Sequence, residues 1–86
     1  MIIWDEDKNI RLKLERNVSF EQISRIILEK DFIDILDHPK RHDQQIFVLE
    51  INDYIYAVPF KIENESMILK TAFPSRKLPK KYRGKK

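Results

Sequence analysis

Six consecutive residues, Val18-Ser19-Phe20-Glu21-Gln22-Ile23, carry two helix-start devices at once. Ser19 with Gln22 three positions later is a capping box, and Val18 with Ile23 occupies the two positions of a hydrophobic staple. Phe20, Ile23, Ile26 and Ile27 then recur at helical spacing, which predicts a helix ending near Lys30 with a broad apolar face. Upstream, Met1 to Trp4 reads as a strand too short to stand without a partner. Asp5 follows as the cap of an earlier helix. Glu6 and Asp7 sit at its positive end, and Lys13 and Arg16 at its negative end. Ile10 and Leu14, four apart, are expected to form its buried stripe with Leu12 off it, and Asn17 to end it in the left-handed conformation.

Beyond Lys30 the pattern changes. Phe32 to Leu36 leans to strand, although it can also extend the helix, and His38-Pro39 opens a polar loop through Asp43. Gln45 to Ile51 and Tyr54 to Ile62 are β-branched and aromatic runs joined by Asn52-Asp53, a two-residue hairpin turn. Pro59 has no N–H to donate, so the second of these strands lies at an edge or is bulged there. A polar turn at Glu63 to Ser66 leads to a last strand, Met67 to Phe73, ending at Pro74. Helices gathered before an antiparallel meander define the α+β class, with two N-terminal helices on one face of an antiparallel sheet. The other face is expected to stay partly open, with Tyr54, Tyr56, Phe60, Lys61, Lys70 and Arg76 as candidates for a common surface. No repeat or linker divides the chain, which predicts one domain, residues 1–86, with a basic C-terminal segment at 74–86.

At 86 residues without cysteine, stability must come from packing, and thiol chemistry and thiolate metal sites are excluded. No apolar run approaches the roughly 20 residues of a membrane span, and Met-Ile-Ile-Trp-Asp lacks the pattern of a signal peptide. A cytoplasmic protein is therefore expected, with no membrane partner.

Net charge, +3, conceals a dipole. Eight of the seventeen Lys and Arg fall between Lys70 and Lys86 with no acid among them, while residues 1–69 carry nine basic and fourteen acidic groups. Phe73, Arg76 and Tyr82 are interleaved with these lysines. Cations that displace counterions, together with rings that stack on bases, suit RNA or DNA. An acidic protein partner fits the charge equally well, and so does a merely solvated tail.

His38 and His42 are the only imidazoles, and either can serve as a general acid or base. Pro39 argues against their sharing a helical metal-binding face, and Asp5, Glu6 and Asp7 fit a helix first turn better than a metal cluster. No metal or other cofactor is therefore expected. Gly84 is the sole glycine, which excludes a glycine-rich phosphate loop.

Trp4-Asp5-Glu6-Asp7-Lys8-Asn9 and Val18-Ser19-Phe20-Glu21, at this separation, resemble the BrnT family of bacterial toxins. Those toxins typically read Trp-Asp-Glu-x-Lys-Asn, then a stretch ending Lys-His-Gly, then Val-Ser-Phe-Glu. Their later Ile-Ile-Ser-Ala-Arg-x-Ala is similar to Ala72-Phe73-Pro74-Ser75-Arg76-Lys77-Leu78. The middle of the chain matches only in pattern. The resemblance implies a RelE-like α+β fold and a metal-independent endoribonuclease acting on messenger RNA. It also implies a cognate DNA-binding antitoxin as partner, with DNA engaged only through that complex. Departures are Glu15-Arg16-Asn17 in place of Lys-His-Gly, Thr71 beside Lys70 in place of a strand Arg, and a C-terminal helix shortened to Pro79-Lys80-Lys81-Tyr82.

RNA cleavage of this kind needs a deprotonated 2′-hydroxyl, a protonated leaving oxygen and a stabilised phosphorane. Arg76 is the candidate for the last task, because its planar donors can grip two phosphate oxygens. Lys70 is a second cation at the phosphate, and Tyr82 a stacking ring or proton donor. Lys77, Lys80, Lys81 and Arg83 are candidate RNA contacts. The alternative is a non-catalytic or decayed toxin-fold module that binds protein or nucleic acid, a reading that Glu15, Thr71 and the shortened end favour.

Overall fold

A computed structural model describes residues 1–77. The chain is α+β: two helices pack on one face of a six-stranded mixed sheet. Strand β1, Ile2–Ile3, is followed by α1, Glu6–Arg16, and α2, Phe20–Leu28. Strands β2, Asp34–Asp37, β3, Gln45–Ile51, β4, Tyr54–Glu63, β5, Ser66–Leu69, and β6, Phe73–Pro74, complete the order. Among the described residues no helix is long and apolar enough to cross a membrane.

Both helices start where their caps dictate. The Asp5 side chain accepts from the N–H groups of Asp7 and Lys8, and Ser19 Oγ accepts from Gln22 N at 3.0 Å. Asn17 ends α1 with φ 57°, its N–H donating to Lys13 O. After α2 the N–H of Lys30 donates to Ile27 O and that of Asp31 to Ile26 O, a Schellman closure with Lys30 at φ 58°. Both hairpins, β3–β4 and β4–β5, turn on two residues with positive φ, Asn52-Asp53 and Asn64-Glu65. Such turns twist with the strands they join.

The sheet order is β1-β5-β4-β3-β2, with β6 also on β4. Hairpins force β2 to β5 to alternate in direction. Strand β1 enters by the helical crossover instead and is free of that constraint: it lies parallel to β5, Ile2 opposite Met67 and Ile3 opposite Ile68. The expected all-antiparallel sheet is thus corrected to a mixed one. The last strand is also divided. Phe60 pairs with Leu69 and Ala57 with Phe73, so β4 advances three residues where its neighbour advances four. That extra residue is a bulge, and it faces Pro59, whose carbonyl accepts from Lys70 N at 2.8 Å. The proline's missing N–H therefore breaks no ladder.

Phe20, Ile23 and Ile27 of α2 meet Phe47, Leu49 and Ile51 of β3 and Tyr56, Val58 and Phe60 of β4 in the core. Phe47 stacks on Phe60 with centroids 4.3 Å apart. Helix α1 does not bury the stripe its sequence suggests. Ile10 is 49% and Leu14 82% exposed, while Leu12 and Asn9 face inward. The cause is Asn9, fully buried between the helices. Its Oδ1 accepts from Phe20 N at 2.8 Å, and its Nδ2 donates to Glu21 Oε1 at 2.8 Å and Glu6 Oε1 at 3.2 Å. Glu6 Oε1 also accepts from Trp4 Nε1, and the Trp4 ring stacks on Phe20. A helix pinned through position 9 turns position 12 inward and positions 10 and 14 outward.

Three predictions concern stability. Asn9→Ala leaves the Phe20 N–H unpaired in the core and is expected to lower unfolding free energy by about 3 kcal/mol in denaturant titration. Hydrogen bonds from Asn9 and from its own backbone N–H, with Lys13 3.6 Å away, hold the Glu21 carboxyl below its ordinary pKa. A depressed carboxyl stabilises the fold above its unfolded value and loses that contribution as pH falls through its folded value. Stability of Glu21→Gln should accordingly decline less than wild type on acidification, by thermal unfolding across the acid range. Lys30→Gly and Glu65→Gly relieve side chains held at positive φ and should each raise the melting temperature by about 4 °C.

Candidate functional site

The bulge decides where the cationic residues go. In an uninterrupted strand Lys70 and Arg76, six positions apart, would share a face. One extra residue between Leu69 and Phe73 reverses the alternation, so Leu69 and Pro74 belong to the helix-side face and Phe73 to the opposite one. Lys70 and Arg76 consequently line two different grooves. The expected common surface is met in part: Tyr54 and Tyr56 share a groove with Arg76, whereas Lys61 lies with Lys70 in the other groove and Phe60 is buried in the core.

The first groove, ≈ 900 Å³, opens where the end of α1 meets the β3–β4 turn and β6. Arg76 and Arg16 line it with Tyr54, Tyr56 and Glu15. Ser75 N donates to Ile55 O at 2.9 Å, extending the β6 pairing up to the residue before Arg76. Arg76 is thereby held beside the tyrosines of β4. Tyr54 is 65% exposed and presents its ring to the groove, whereas Tyr56 is buried in the core. Leu14 adds an exposed apolar wall. Two guanidinium groups, a carboxylate and a phenol are the functional groups that phosphodiester chemistry uses.

A second groove, ≈ 810 Å³, lies over the sheet face away from the helices. Ile46, Pro59 and Phe73 form its apolar lining, and Lys8, Lys40, Arg41, Lys61 and Lys70 surround them, with Asp43 the only carboxylate among the described residues of the groove. His38 belongs to this rim. Its Nδ1 accepts from the backbone N–H groups of Lys40 and Arg41, both at 3.1 Å. The ring's lone pair is therefore occupied and its proton sits on Nε2, so neutral His38 offers a donor and no base. His42 is exposed and lines a smaller groove with Asp37 and Asp43. Lys77 is exposed and lines neither large groove, and Lys80, Lys81, Tyr82 and Arg83 lie outside the described residues.

Arg16 and Glu15 were invisible as partners of Arg76 because they are distant from it in the chain and meet it only where the end of α1 lies beside β6. The second groove draws cations from α1, the β2–β3 loop, β4 and the bulge, which no short motif can report. Compared with protein families, curated proteins and solved structures, the chain finds no match. Long-range proton–nitrogen NMR spectra should show neutral His38 protonated at Nε2; an Nδ1–H pattern would contradict the loop geometry.

Proposed function

We propose that this protein is an endoribonuclease of the toxin–antitoxin kind, cutting messenger RNA in the cytoplasm at the Arg76 groove. The observation that carries this reading is the placement of Arg76 beside Arg16, Glu15 and Tyr54 in one exposed groove. In the proposed reaction the Glu15 carboxylate takes the 2′-hydroxyl proton, and the 2′-oxygen attacks the adjacent phosphorus. Arg76 and Arg16 hold the charge that builds on the phosphorane oxygens. The bond to the 5′-oxygen breaks as the Tyr54 phenol protonates it, leaving a 2′,3′-cyclic phosphate and a 5′-hydroxyl. Every proton and bond is accounted for without a metal. The resemblance to BrnT toxins adds a RelE-like scaffold and a DNA-binding antitoxin, which would inhibit by covering the groove and its exposed Leu14 wall.

One observation favours the binding-only alternative. The residues of the two N-terminal motifs serve the fold: Asp5 and Ser19 cap helices, Glu6, Asn9 and Glu21 share hydrogen bonds, and Trp4 stacks on Phe20. A protein that had lost cleavage would keep all of them.

Incubation of purified protein with messenger RNA in EDTA separates the two. Cleavage yielding cyclic-phosphate ends is expected, with Arg76→Ala and Glu15→Gln each slower by about 100-fold or more. Absence of wild-type cleavage, together with failure of induced expression to arrest growth, would leave the binding module as the function.

A further inference from the structure

The second groove has no part in the reaction proposed above, yet its composition is the less ordinary of the two. Lys61 is the one rim cation with an ion pair among the described residues, 3.4 Å from Glu63. Lys8 Nζ donates to Lys70 O at 3.0 Å, which neutralises nothing and holds a second ammonium at the groove. Lys40 and Arg41 are fixed at the rim by the hydrogen bonds of their backbone N–H groups to His38. Converging like charges repel one another, so a surface that gathers them is stabilised by a polyanion that lies between them. The floor narrows the choice of polyanion. Phe73 is 45% exposed within this ring of cations, with Pro59 and Ile46 beside it.

We infer that this groove binds a single-stranded nucleic acid, its phosphates on Lys40, Arg41, Lys70 and Lys8 and a base stacked on Phe73. A duplex keeps its base faces covered and gives the ring nothing to stack on, whereas a single strand offers both phosphate charge and a free base. An acidic peptide would satisfy the cations and leave the ring unused. The site lies across β6 from Arg76, so strand binding here is independent of cleavage. It would hold a long RNA on one face of the sheet while the other groove acts on it, or serve alone in a binding module.

Fluorescence anisotropy of the full chain with labelled oligodeoxythymidylate tests this apart from cleavage, because that strand lacks the 2′-hydroxyl. Lys40→Glu/Lys70→Glu is compared with Arg25→Glu/Lys30→Glu, which makes the same charge change at exposed positions in and just after α2 and leaves the basic C-terminal segment intact. The groove pair should weaken binding at least tenfold and lower the slope of log affinity against log salt by about 1.4, while the control pair changes affinity less than threefold. Phe73→Ala, which alters no charge, should weaken binding about tenfold. Folding of each variant is checked by circular dichroism, with Lys40→Gln/Lys70→Gln replacing the groove pair if the latter unfolds. Equal loss in the groove and control pairs would assign binding to net charge and overturn the inference. So would polyglutamate binding as tightly as the oligonucleotide with Phe73→Ala affecting neither.

Discussion

A single buried amide couples the two helices. Asn9 accepts the N–H of Phe20 and donates to Glu21 and Glu6, so one side chain closes the first turn of α2 with groups supplied by α1. First-turn N–H groups have no partner within their own helix and ordinarily turn to water or a cap. Here Ser19 satisfies Gln22 and Asn9 satisfies Phe20, in a site closed by Trp4. Everything that α1 contributes to the surface follows from this clasp: Leu12 inward, Leu14 outward, and Glu15 and Arg16 at the mouth of the Arg76 groove.

The second organising element is one surplus residue. Sheet faces alternate with period two, and a single insertion transfers everything after it to the other side. Between Leu69 and Phe73 that transfer separates Lys70 from Arg76 and yields two grooves with different character: a narrow set of acid–base groups on one side, and a cationic ring around an aromatic floor on the other. Pro59 makes the bulge inexpensive, since the ladder position it faces needs only an acceptor.

Much of the fold was legible in local chemistry. Ser19 and Gln22 mark the start of α2, Asn17 the end of α1, and Asn52-Asp53 the hairpin, because each residue type suits a backbone state that few others do. Lys30 and Glu65 hide comparable turns behind residues that do not advertise positive φ. The orientation of α1 was illegible for a different reason: Ile10 and Leu14 are the more apolar pair, but Asn9 has partners that exist only once α2 is in place. For the site, Arg76 could be singled out from charge and motif. Tyr54 could be named beside it, but Arg16 and Glu15 could not, because the clasp and the bulge together bring them to it. The N-terminal motifs that carry the toxin resemblance are explained by the fold, which is why they speak to architecture more directly than to chemistry.

Amide hydrogen exchange at Phe20 tests the clasp most directly. The account predicts that this N–H, though in a helix's first turn, exchanges only with global unfolding, as the amides of Val48 and Val58 in the central strands do, and that Asn9→Ala makes it exchange rapidly in an otherwise folded protein. Rapid exchange of Phe20 in the wild type, at the rate of a frayed helix end, would contradict it.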